Sequence, residues 1–347
     1  MKQEHLALCV AFGLFLVGSL SSASDACSTD AIRTAADVHV SDGTDYKTET
    51  VFHSAGGAAI RFLGDELSVV AVEGPVAWTS TDGTASPGEA FHGGFAMGHQ
   101  VHALLLHFEQ QVENVRPTET IRFNDAERSG LTGDYPHGGL LHLIEGESVS
   151  SPAGLLLEAP DGMRVEMRFS DWRELDNKNL PYLVQIYDGQ QTFDYTYTKI
   201  ELATETADWF YDQLPAPDLD RVQIYRLHRT LLLAHCLGDA DLMGSLMTAQ
   251  NVIAGRGELT TTTPEETKER FSSVFDALDY TGYHDLTEPQ IEFSAGDGIG
   301  WIAVEVRAVG TEKASGETFD SQWAWIMLVK EIDGTWLHAG NASNRKS

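Results

Sequence analysis

Two histidines on one apolar helix are the residues best placed to do chemistry. In Arg221–Leu237, Ile224, Leu227 and Leu231 recur at helical spacing, and His228 and His235 fall within ~40° of the centre of that stripe. Both imidazoles should point inward, where burial and neighbours tune their protonation for acid/base work or ligand hydrogen bonding. A satisfied core histidine is the alternative reading of each. Seven residues separate them, ~10 Å along the axis, too far to share one metal ion. His235 is the candidate acid/base, with Arg256 or Asn341 to hold an oxyanion.

Further along, Trp323 and Trp325 alternate with Ser321 and Met327, and Trp301 begins a neighbouring strand. That face either floors a pocket for an apolar ligand or packs as plain core. Glu305 and Arg307 share the face of Trp301 and read as a solvated ladder. Arg256, the cation in Gly255-Arg256-Gly257, could meet an acidic ligand. The ligand pocket is therefore expected from His228, His235, Arg256, Trp301, Trp323, Trp325 and Asn341. In the first half, His99, His102 and His107 lie spread opposite a Val101/Leu105/Phe108 stripe; His99 and His102, at i, i+3, could share a zinc ion but lack a third ligand. No metal, no cofactor and no nucleotide loop is expected.

The elements that must position these groups fall into two sets. Residues 36–207 are β-rich, with strands predicted at Ala58–Leu63, Leu67–Val72, Leu155–Leu157, Met163–Phe169, Leu183–Tyr187 and Thr192–Ile200, and one helix at Gly98–Glu113. A proline-rich linker over 208–220 precedes residues 221–347, and two independently folding units are expected to part there. After the His-bearing helix, Asp241 is placed to cap a second helix, and Thr263 and Glu266 have capping-box spacing for a third. Strands are predicted at Gln290–Ser294, Trp301–Val309, Phe319–Glu331 and Trp336–Ser343, with Asp333-Gly334 as a tight turn. Helices followed by a meander make the fold class α+β.

The chain has 347 residues and a formal charge of −29, so phosphate backbones and anionic headgroups are repelled at long range and nucleic acid is disfavoured as a partner. Residues 1–23 read as a secretory signal: Lys2, an apolar run from Leu6 to Val17, then Ser21, Ser22 and Ala23. That run is too short to span a membrane, and no other stretch offers ~20 apolar residues. An exported protein, periplasmic or secreted, is expected, with 24–35 as a flexible mature N-terminus. Cys27 and Cys236 remain after signal removal; a bridge between them and a merely buried Cys236 are both open.

Residues 220–347 resemble the nuclear transport factor 2-like superfamily in its SnoaL-like form. The resemblance is carried by Gly238-Asp239-Ala240-Asp241-Leu242-Met243, the stretch Asn251 to Gly257, FSAGDGIGW up to Trp301, and GTWLHAGNASN from Gly334. It implies a cone of three helices on a bent antiparallel sheet, with an apolar pocket between sheet and first helix, and homodimers through the open sheet face. Enzymes of that superfamily place a carboxylate after the second helix; Thr248 to Gly257 holds none, which favours binding of a small or lipid-like apolar ligand over lyase, isomerase or hydrolase chemistry. Residues 36–205 more loosely resemble the LolA/LolB-like lipoprotein carriers, which implies a curved half-barrel with a helical insertion.

Overall fold

The computed structural model describes Cys27 and residues 30–54, 57–64, 68–88, 90–135, 139–148, 150–160, 162–203, 220–255, 257–294 and 296–346. The expected signal segment 1–23, Arg256 and all of the expected linker but Asp220 lie outside the described residues.

The first half forms an antiparallel sheet in the order β6-β5-β4-β3-β2-β1-β13-β12-β11-β10-β9-β8-β7. Its strands are β1 (Ala31–Val40), β2 (Asp45–His53), β3 (Gly57–Leu63), β4 (Ser68–Glu73), β5 (Val76–Thr81), β6 (Thr84–Pro87), β7 (Glu113–Phe123), β8 (Ala126–Asp134), β9 (Leu140–Ile144), β10 (Gly154–Glu158), β11 (Arg164–Leu175), β12 (Lys178–Tyr187) and β13 (Thr192–Ala203). Alternation sets the faces: Phe193, Tyr195 and Tyr197 are buried while Asp194 and Thr196 are exposed. Two-residue loops Asp82-Gly83, Asn124-Asp125 and Asp176-Asn177 have positive φ at both positions, the twist-compatible hairpin geometry. β1 starts inside the stretch expected to be flexible, because Ala31 to Ala35 pair with β13 on one side and β2 on the other.

The helix expected over Gly98–Glu113 is instead three short ones, α1 (Ala90–Gly98), α2 (Val101–Leu106) and α3 (Phe108–Gln111). Phe95, Met97, Val101, Leu104 and Phe108 share a core with Val38, Phe52, Ile60, Leu155, Met167 and Ile186. Gln100 donates to the Ala59 carbonyl of β3 and His102 to the Pro181 carbonyl of β12. Since β3 and β12 lie four strands apart, the sheet bends around these helices. That enclosure buries His99 and His102, which the helical wheel places on an outward face.

The second half contains α4 (Asp220–Leu237), α5 (Ala240–Ser245), β14 (Met247–Gly255), β15 (Glu258–Thr262), α6 (Pro264–Ala277), β16 (Leu278–Asp285), β17 (Gln290–Ser294), β18 (Ile299–Glu312), β19 (Thr318–Ile332) and β20 (Thr335–Arg345). The sheet order is β15-β14-β20-β19-β18-β16, with β17 also paired to β18; β14 and β20 run parallel and the other pairs antiparallel. The α+β class is as expected, and β14, β15 and β16 are added to the strands read from sequence. The capping box forms: Thr263 Oγ1 accepts from Glu266 N, and Glu266 Oε2 accepts from Thr263 N. Asp239, not Asp241, caps α5, because Gly238 at φ +63° ends α4 at once and leaves Asp239 extended, its carboxylate accepting from Leu242 N.

Helix α4 is buried on two sides. Val222, Tyr225, Leu232 and Ala234 belong to one core with Val51, Ala59, Ala71 and Trp78 from β2–β5 and with Ile302, Val304 and Met327 from β18–β19. Half-buried Arg226 donates through Nε to buried Glu73 Oε2 at 2.8 Å, and the Cys27–Cys236 disulfide ties the segment before β1 to the end of α4. The two sheets therefore share a core through α4.

Candidate functional site

His228 leaves α4 toward the inner face of the second sheet. It is fully buried, its Nε2–H donates to Asp285 Oδ1 at 2.9 Å, and its ring meets Trp325 edge-on at 5.6 Å. Asp285 ends β16, and its other oxygen accepts from Arg229 Nη1 at 3.2 Å. Burial alone would raise the Asp285 pKa, but the charges and hydrogen bonds of His228 and Arg229 outweigh it and hold the carboxyl below its ordinary value. An ionised Asp285 fixes the His228 ring by accepting at Nε2; Nδ1, also buried, has no partner among the described residues.

Strand register decides who shares this face. Val304 pairs with Trp325, Val306 with Trp323, Trp325 with Ser343 and Met327 with Asn341, so these side chains project together toward α4. Along β19 the inward positions pass from buried Val329 and Met327 to half-buried Trp325 and Trp323; Asn341, Ser343 and Ile253 beside them are also half-buried. The inner face thus opens at its Trp325 end and closes at its Val329 end. The Trp325 Nε1 is buried with no partner among the described residues, while Trp323 Nε1 donates to Ser321 Oγ.

Of the expected pocket residues, His228, Trp323, Trp325 and Asn341 come together on this face. Trp301 does not. It pairs with Leu328 and Glu292 and shares the outer face with Glu305 and Arg307, the latter bound to Asp320 at 2.7 Å. His235 points inward but into a different place, an aromatic box of Phe271, Phe275, Tyr280 and Tyr283 with centroids 5.1–5.8 Å away. Its Nδ1–H donates to the Leu231 carbonyl at 2.8 Å, and burial lowers its pKa to about 4. Helical spacing sets the direction of a side chain but not its neighbours. Asp285 and Arg229 were missed: Asp285 is 57 residues from its histidine, and Arg229 resembled any polar residue beside an apolar stripe.

His338 Nδ1 lies 3.0 Å from Met247 Sδ, to which Asn251 also donates. His99 donates to the Phe95 carbonyl. No group of three or more potential metal ligands occurs among the described residues, and among them no helix is long and apolar enough to cross a membrane.

No protein-family model matches the sequence. No curated protein matches it either. Solved structures do resemble part of it. A ketosteroid isomerase-like protein from Erwinia carotovora atroseptica is 20% identical over 36% of this chain and 95% of its own, with a TM-score of 0.32. A nuclear transport factor 2-like protein from Cytophaga hutchinsonii is 18% identical over 37% of this chain and 99% of its own, with a TM-score of 0.31. A type 2 hexachlorocyclohexane dehydrochlorinase is 16% identical over 37% and 85%, with a TM-score of 0.32. The structural neighbours of this chain are thus nuclear transport factor 2-like and ketosteroid isomerase-like proteins that match a little over a third of its length.

Proposed function

We propose that the second unit binds a small, largely apolar molecule on its inner sheet face, between Trp323, Trp325 and Asn341 at the mouth and His228 at the base. The observation that carries this is the pairing of the half-buried stretch along β19 with His228 Nδ1, a buried ring nitrogen that no described residue partners. Burying such an atom unpaired costs about 1–3 kcal/mol, a cost that ligand binding would offset. Differential scanning calorimetry of native-source protein before and after organic extraction, with mass spectrometry of the extract, tests this. A copurifying apolar compound that restores the lost Tm supports the reading; an empty extract and an unchanged Tm refute it.

A catalytic reading has its own observation. A histidine held by an ionised carboxylate, with its other nitrogen unpaired, is arranged as a general base, so His228 replaces His235 as the acid/base candidate. Asp285→Asn would then abolish turnover of the extracted compound while binding survives; equal turnover in both proteins would exclude the role.

Export is part of the proposal. The Cys27–Cys236 disulfide supports it, since such bonds persist in oxidising compartments. So is self-association: Val252, Ile299, Trp301, Ile326 and Leu328 share the outer sheet face, and all but half-buried Trp301 are exposed. Four strands of about ten residues there span roughly 600 Å² by strand spacing and rise, of the order of the ~800 Å² each partner gives to a standard interface. Sedimentation equilibrium should find a homodimer that Leu328→Lys dissociates; a monomer at all concentrations removes this element.

A further inference from the structure

We infer that β15 is a docking edge for an extended segment of another polypeptide, basic at its flanks, which adds a strand to the second sheet; the site stands independently of the His228 face. β15 ends the sheet order, so no described strand pairs with it on its far side. Backbone N–H and C=O groups alternate sides along an antiparallel strand, and two or three of the five residues Glu258–Thr262 therefore direct theirs away from β14. The other edges of the two sheets are protected. β6 has four residues and ends in Pro87. β7 carries Arg116, Pro117 and Glu119, and its register with β8 shifts twice. β16 lies under α4, whose His228 and Arg229 reach Asp285, and Arg221 of α4 donates to the Ile291 carbonyl of β17 at 2.7 Å. Prolines, charges, bulges and covering helices are the ordinary means of keeping an edge from pairing. β15 reads Glu-Leu-Thr-Thr-Thr, an ordinary strand length with one charge at its first position and no proline or lysine.

Side chains set what the added strand carries. Leu259 is 76% exposed, the most exposed large apolar side chain among the described residues. It lies opposite Ala254 in register, and Thr261 lies opposite exposed Val252, so Leu259, Thr261 and Val252 share one face. A strand laid along β15 covers Leu259 with its own side chains on that face, which calls for apolar or β-branched residues at alternate positions. Charge selects the partner. Residues 242–264 hold one Arg and one Glu in a chain of net charge −29, so the edge raises no local barrier while the surrounding field draws cations. Glu265 and Glu266 open α6 just beyond the strand. A second copy would bring the same negative charge to a strip only ~17 Å long, too small for a lasting pair. Main-chain hydrogen bonds plus alternate side-chain contacts are how strand addition binds a peptide.

The test uses the full, disulfide-intact mature chain and the probe acetyl-Lys-Thr-Val-Thr-Val-Thr-Lys-amide, fluorescently labelled for anisotropy. Its controls are the same peptide N-methylated at every central residue and a counterpart with Glu in place of both Lys. The parent peptide should bind and, at saturation, slow amide hydrogen exchange of residues 258–262 at least about ten-fold. N-methylation keeps the side chains but removes the N–H groups, and should weaken binding at least about ten-fold. The Glu peptide should bind more weakly than the Lys peptide at about 0.01 M salt, and the gap should narrow at about 1 M, where the Debye length falls to ~3 Å. Leu259→Ser should lower affinity for the parent peptide several-fold and leave Tm unchanged. No binding of the parent peptide, equal affinity for its N-methylated form, or unchanged exchange at 258–262 overturns strand addition. Tighter binding of the Glu peptide overturns the charge argument. Exchange at 258–262 that is already slow without peptide and quickens on dilution gives the edge to a second copy and overturns the choice of partner.

Discussion

Breaking the Cys27–Cys236 bond should destabilise the whole molecule, because it closes a loop across both sheets. The two cysteines are 209 residues apart in sequence. In the chain-entropy account, a loop of that size constrains the unfolded chain by about 5 kcal/mol, and removing native bridges commonly costs about 2–5 kcal/mol. For a chain of this length each kcal/mol moves Tm by roughly 1.5 °C, so reduction should lower Tm by roughly 3–8 °C. The bond lies where the segment before β1 meets the end of α4, and α4 supplies core to both sheets. Loss of sheet signal and loss of tryptophan environment should therefore shift together. The assay is calorimetry of the mature protein with and without a phosphine reductant, with Cys236→Ser as the reagent-free control and intact mass to show the gain of two hydrogens. An unchanged Tm on full reduction would refute the reasoning. So would two thiols reacting with Ellman's reagent in untreated, exported protein.

Two further outcomes follow from the same packing. Burial lowers His53, His99, His102, His235 and His338 to about 4 from an ordinary 6.5, so the unfolded chain binds more protons between those values; stability is complete above pH ~6.5 and falls by about 1.4 kcal/mol per pH unit for each histidine as pH drops toward 4. Denaturant titrations from pH 7 to pH 4 check this, and a flat profile would show the rings reach water. Gly74 sits at φ +50° with its missing Cβ 2.1 Å from Tyr225 of α4, so Gly74→Ala should strain the turn and displace α4 from the first sheet. A Tm loss of more than about 5 °C is expected from backbone strain and overpacking combined, and a wild-type Tm would show that α4 does not press on that turn.

The local features that chemistry alone enforces were legible in the amino-acid order. Thr263 and Glu266 satisfy each other's backbone donors within one turn, Asp333 and Gly334 adopt positive φ in a two-residue hairpin, and Trp323 and Trp325 share a face because strands alternate. The inward direction of His228 and His235 also followed from helical spacing. What each would touch did not. Asp285 reaches His228 only because β16 lies beside β18 under α4, and Trp301 faces away from Trp325 only because Val304 is the residue in register with Trp325. Register and strand order arise from contacts far apart in the chain, and a one-residue shift exchanges the faces of a strand. For the same reason His99 and His102, polar on a helix wheel, end up buried: a sheet drawn from both ends of the first half wraps the short helices around them, and no local pattern encodes that enclosure.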